Sequence, residues 1–132
     1  MGKTNSVERD PNMISLTFEN EETQSGQPLI GKVSIVYDGR YDSISINSQI
    51  EDSSDVFSYV ELQGKKINHP YARLSIMKKE ILDPKKIEFK VSTQHKPIKD
   101  NSTAKFRATL IQEHKEIGSA VKFIRIKNNG LG

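Results

Sequence analysis

The chain has 132 residues with no cysteine and no tryptophan, a length that fits one domain able to bury a core without staples. The missing cysteines exclude disulfides, a thiol nucleophile and a cysteine-ligated zinc site. An N-terminal apolar h-region and an apolar run long enough to span a bilayer are both absent, which implies a cytoplasmic protein.

The formal net charge of +3 conceals an uneven distribution. Residues 1–63 hold 4 Lys/Arg against 11 Asp/Glu, whereas residues 64–132 hold 16 against 6. Such asymmetry marks an interaction face, unless strands from the two halves interleave and their charges mix.

Apolar side chains recur with a period of two, as in Ile14-Leu16-Phe18, Val33-Ile35-Tyr37, Ile87-Phe89-Val91 and Phe106-Ala108-Leu110. Strand side chains alternate faces, so each run predicts a strand with one buried and one wet face. Residues 1–12 are polar, end in Asp10-Pro11-Asn12, and read as a flexible lead-in. A first strand over 13–19 is followed by a polar connection over 20–27. Pro28 hands over to a second strand over 29–37, and Asp38-Gly39 is a tight-turn dipeptide.

The third strand, 42–51, places Ile44, Ile46 and Ile50 on one face, and the acidic cluster 51–55 is a turn before a fourth strand at 57–62. Polar breaks at 64–66 and 68–70 precede a fifth strand over 71–81, with Leu74 and Ile76 inward. Asp83-Pro84-Lys85-Lys86 makes a turn into strand six, 87–93. A polar loop over 95–102 leads to strand seven, 103–112, and strand eight, 119–127, follows Gly118. The remainder, 128–132, reads as a disordered tail. The sum is an all-β chain, an antiparallel immunoglobulin-like or arrestin-like β-sandwich of about eight strands over residues 13–127.

The segment ISLTFENEETQSGQPLIGKVSIVYDGRYDSISINSQIE carries Gly26, Gly31, Lys32, Val33 and Ile35. The later KIEFKVSTQHKPIKDNSTAKFRATLIQEHKEIGSAVKFIRI carries Phe89, Pro97, Ser102, Phe106 and Leu110. At these positions the chain resembles the arrestin-like family, including the arrestin-like subunit of retromer, over about residues 13–127. It matches one lobe where those proteins have two, and it lacks a recognisable polar-core network. The resemblance implies a non-enzymatic adaptor or scaffold, of the kind used in trafficking.

The chemistry of the residues points the same way. His69, His95 and His114 fall in separate segments with no pair at metal-ligand spacing, so no metal and no cofactor is expected. No serine sits in a nucleophile elbow, and no Ser-His-Asp trio can be named from chain order. Asp38, Asp42, Asp52 and Asp55 flank two loops that could offer oxygens to calcium, but they lack an Asp-x-Asp pair and read as solvated turns. Gly31 reads as a strand glycine permitting close backbone approach rather than as a binding residue.

Two surfaces are candidates for binding. The doublets Lys65-Lys66, Lys78-Lys79 and Lys85-Lys86 form an anionic-ligand patch, or else protect strand edges from aggregation. The last strand sets Lys122, Ile124 and Ile126 against Val121, Phe123 and Arg125; with both faces apolar, Lys122, Ile124 and Ile126 are the candidate partner-binding residues. Met1-Gly2-Lys3-Thr4-Asn5-Ser6 also fits the N-myristoylation pattern, making Gly2 a candidate lipidation site. The expectation is a protein-binding adaptor that reads its partner by strand addition or through a sheet face, with a homodimer possible. The alternative is a C2-like peripheral membrane module that recognises anionic lipids through its lysines. Nucleic acid is a poor fit, because aromatic side chains for base stacking are not interleaved with the lysines.

Overall fold

The computed structural model describes residues 13–128; the lead-in 1–12, with Gly2, and residues 129–132 lie outside the described residues. Ten strands form among the described residues. They are β1 (Ile14–Phe18), β2 (Glu22–Gln24), β3 (Leu29–Ile35), β4 (Ser43–Ile50), β5 (Ser58–Leu62), β6 (Lys65–His69), β7 (Arg73–Met77), β8 (Ile87–Ser92), β9 (Asn101–Gln112) and β10 (Lys115–Lys127). One 3₁₀ turn, Lys78–Glu80, follows β7.

The strands make two five-stranded sheets, in the orders β2-β10-β9-β4-β7 and β1-β3-β8-β5-β6. The all-β sandwich expected from the alternating pattern therefore forms, and the inward sets are those that the period of two selects. Ile14, Leu16, Val33, Ile44, Ile46, Ile50, Leu74, Ile76, Ile87, Phe89, Val91, Phe106 and Leu110 are all buried. Removing this apolar area from water is the main stabilising term.

Aromatic rings knit the two inner faces. Phe18 contacts Phe89 edge-on at 5.7 Å and Phe106 at 4.8 Å, and Phe57 meets Phe106 at 5.0 Å. Gly31 makes this possible. It is paired with both Phe18 and Phe89 on the neighbouring strands, and a Cβ there would sit 2.5 Å from Phe89 Cζ and 2.8 Å from Phe18 Cε2. The rings lie over a bare backbone, which is the close approach the sequence indicated.

The structure departs from the sequence reading at several connections. Lys65 and Lys66 open strand β6 rather than break the chain, because Gln63 and Gly64, at φ 50° and 85°, close a two-residue hairpin. Positive φ at both central residues gives the backbone twist that matches paired strands. Glu113 and His114, at φ 50° and 67°, do the same between β9 and β10, so the last strand starts at Lys115 and continues past Gly118, with a bulge at Ile117 against Leu110 and Ile111.

Asp38-Gly39 is not a hairpin turn. The strands it joins, β3 and β4, lie in different sheets, so the segment crosses the sandwich. In the polar connection, Glu22–Gln24 forms β2 and pairs in parallel with Arg125–Lys127, the one departure from antiparallel pairing among the described residues. Thr23 is buried there, its hydroxyl donating to the Gln27 carbonyl at 3.0 Å.

Candidate functional site

The last strand is where expectation and structure diverge most. Ile124 and Ile126 are 1% and 0% exposed, packed into the core, so they are not a partner-binding surface. The alternation along β10 holds, but its core-facing and wet faces are the reverse of those expected. β10 has one wet apolar face, formed by Val121 and Phe123, which are 41% and 59% exposed. Lys122 is on the core-facing side with Ile124 and Ile126, yet it is exposed. It sits where β10 has only β9 as a strand neighbour, since β2 pairs with Arg125–Lys127 alone. An inward-pointing lysine on a half-open strand opposes the addition of a further strand.

Cross-strand register shows what surrounds Phe123. It lies opposite Lys105, with Arg107 opposite Val121 and Thr103 opposite Arg125. Neighbours opposed on one face touch, so the outer sheet surface carries Val121 and Phe123 framed by Lys105, Arg107 and Arg125. Arg107 makes a bidentate pair with Glu116, its Nη1 and Nη2 donating at 2.6 and 2.5 Å. That hydrogen bond holds the Glu116 carboxyl below its ordinary range and raises the guanidinium. Arg125 reaches Glu22 on β2 at 3.5 Å. Lys105 is exposed beside the phenyl ring.

The lysine doublets converge. β6 starts, and β3, β5, β7 and β9 end, at one end of the sandwich, as the pairings Leu62↔Lys65, Val33↔Ile87, Ser43↔Met77 and Ser43↔Ile111 require. Hydrogen bonds stitch the loops at this end together. Gln63 Nε2 donates to the Glu80 carbonyl at 3.0 Å, its Oε1 accepts from Leu82 N at 2.8 Å, and Ile35 N donates to Pro84 O at 2.7 Å. Lys65, Lys66, Lys78, Lys79, Lys85 and Lys86 are all exposed there, and Lys78 Nζ lies 4.6 Å from the centre of the Tyr41 ring.

The opposite end holds a constellation that the sequence did not reveal. His95 Nδ1 lies 2.8 Å from Asp55 Oδ2, and its Nε2 lies 2.9 Å from Ser102 Oγ. An ionised carboxylate only accepts, so Nδ1–H donates to Asp55, and in the neutral ring Nε2 then accepts the Ser102 hydroxyl proton. This is the hydrogen-bond order of a nucleophilic triad. Ser102, however, is 9% exposed on the core-facing side of β9, opposite the buried Ile126. A substrate carbonyl has little approach to its Oγ, and the arrangement instead fastens the 51–57 loop and the 93–100 loop to β9.

The other sequence candidates stay apart. His69 Nε2 contacts the Arg73 carbonyl at 2.6 Å, and His114 sits in the β9–β10 turn. Asp42 and Asp55 lie beyond opposite ends of β4; Asp42 Oδ2 accepts from Glu113 N at 2.5 Å. Among the described residues, no three His, Cys, Asp or Glu side chains cluster to hold a metal. Asn128, placed in the tail by the sequence, donates from its backbone N to the Asp100 carbonyl at 2.8 Å.

No family model matches the chain, and no curated protein matches it. Solved structures do resemble it. A conjugative transposon lipoprotein from Bacteroides eggerthii superposes with a TM-score of 0.50 at 8% identity, covering 88% of this chain and 98% of the lipoprotein. The E. coli adhesin CfaE superposes with a TM-score of 0.56 at 11% identity over 90% of this chain, which spans 49% of the adhesin. The human F-spondin reeler domain gives 0.49 at 11% identity over 87% of this chain and 89% of the domain. None of these three is described as an arrestin. At such identities the likeness is one of fold: the chain is similar to β-sandwich domains of the lipoprotein and the adhesin.

Proposed function

We propose that the protein is a non-catalytic binding module, an adaptor that engages a protein partner through the outer face of the β2-β10-β9-β4-β7 sheet. The observation that carries this reading is the exposure of Phe123, 59%, beside Val121 on a strand face. Interfaces concentrate binding energy in a few aromatic and aliphatic anchors within a polar rim. Lys105, with the ion pairs Arg107–Glu116 and Arg125–Glu22, supplies such a polar rim, and Lys105 favours a partner carboxylate beside the apolar anchor. The inward Lys122 favours contact through this face over strand addition along β10. The arrestin-like resemblance of residues 13–127 is a second support, since that family consists mostly of adaptors.

The test is affinity capture from the native cell with wild type, Phe123→Ser and, as a control on the same sheet face, Ser75→Lys. Loss of a partner in Phe123→Ser alone, with the unfolding midpoint unchanged, supports the reading. Capture that is equal in all three overturns this site.

A further inference from the structure

We propose that the lysine-bearing end of the sandwich docks on an anionic lipid surface. This proposal is independent of the Phe123 face. Three of the exposed large apolar side chains, Val36 at 53%, Met77 at 48% and Leu82 at 75%, belong to this end. They sit among the lysines rather than apart from them. Leu82 N is held by the side chain of Gln63, two residues before Lys65, and Val36 follows the Ile35 amide that bonds Pro84, next to Lys85. Met77 directly precedes Lys78 and Lys79.

Aliphatic tips ringed by ammonium groups match the boundary between acyl chains and phosphate headgroups. The tips enter the apolar layer while the lysines stay in the headgroups. Aliphatic tips offer no platform for stacked bases, which distinguishes this end from a nucleic-acid surface.

Three of the carboxylates present here are turned to the backbone, while Asp38 and Glu113 are exposed; the six doublet lysines outnumber all five. Asp42 accepts from Glu113 N, Glu80 from Met77 N and Asp83 from Lys85 N. At the other end the carboxylates Glu19, Glu21, Glu51, Asp52, Asp55 and Asp100 outnumber the exposed Lys96, Lys99 and Lys127. An anionic surface therefore attracts one end and repels the other, which orients the domain before contact.

The experiment is co-sedimentation of the protein with phosphatidylcholine vesicles, with and without about one-third phosphatidylserine, at low and physiological salt. Wild type is expected to bind only the anionic vesicles, less tightly as salt rises. Lys85→Glu combined with Lys86→Glu is expected to weaken binding at least about 30-fold, since each surface lysine contributes about fivefold. Leu82→Ser is expected to weaken the part of the binding that survives physiological salt. All three positions are exposed in a turn, so the variants fold, and an unchanged unfolding midpoint verifies it. Absence of binding at low salt, binding untouched by both variants, or tighter binding to single-stranded nucleic acid than to the vesicles would each overturn the proposal.

Discussion

The hydroxyl of Tyr59, on β5 of one sheet, donates to the backbone carbonyl of Ile46, on β4 of the other, at 3.1 Å, and shares that proton with the Ala72 carbonyl at 3.0 Å. The phenol spans the core and is 0% exposed. Burial pushes its pKa up, so the hydroxyl stays protonated and remains a donor. A buried polar tip of this kind persists only because it is paired.

Tyr59→Phe removes the donor while keeping the ring. The variant should lose about 1 kcal/mol, the net value of a typical buried hydrogen bond. Urea unfolding followed by tryptophan-free near-ultraviolet dichroism measures it; an unchanged midpoint would mean that the two carbonyls are equally well served by water.

Ile124→Ala should cost about 2–5 kcal/mol because the side chain is wholly buried, and Ile124→Lys should prevent folding. Phe123→Ser, one residue away on the wet face, should shift the midpoint little. Paired thermal melts of these variants test the assignment of faces on β10.

Gly31→Ala places a methyl group against the rings of Phe18 and Phe89. Overpacking at such a site costs about 1–3 kcal/mol. Chemical denaturation of the single variant, and of a double variant with Phe18→Leu that frees space, should show partial rescue.

The Asp55–His95 hydrogen bond holds the Asp55 carboxyl below its ordinary value of 3.8. A depressed carboxyl contributes stability that is present above the unfolded value and is lost as pH falls through the folded one. Asp55→Asn should therefore lower stability at neutral pH, and its difference from wild type should shrink below about pH 4. Denaturation midpoints measured from neutral to acid pH read this directly; a difference that grows in acid would refute it.

Glu113→Asn combined with His114→Gly puts residues suited to positive φ into the β9–β10 turn, where φ is 50° and 67°. The pair should stabilise the domain by about 1 kcal/mol. A raised melting temperature is the readout, provided that losing the side chains leaves the Glu113 amide bonded to Asp42.

Residues with strong periodic patterns were legible in the chain. Ile44, Ile46, Ile50, Leu74 and Ile76 were assigned inward from alternation alone and are buried, because a strand has two faces and water selects between them. Strands β2 and β6 were not legible. ETQ and KKINH carry hardly any apolar signal; β2 exists because β10 offers it backbone partners, and β6 because a two-residue turn folds it onto β5. On β10 both faces are apolar over 121–126, so alternation could not say which faced the core.

The sequence by itself determined that this chain is a cysteine-free β-sandwich and which residues alternate together, since period and composition are local properties. Tertiary structure alone decided that Phe123 rather than Ile124 is wet, that the lysine doublets share one end with Val36 and Leu82, and that His95 joins Asp55 to Ser102. Each of these depends on which sheet covers which face and which loops meet. Such facts arise from packing between residues up to tens of positions apart, and no local pattern records them.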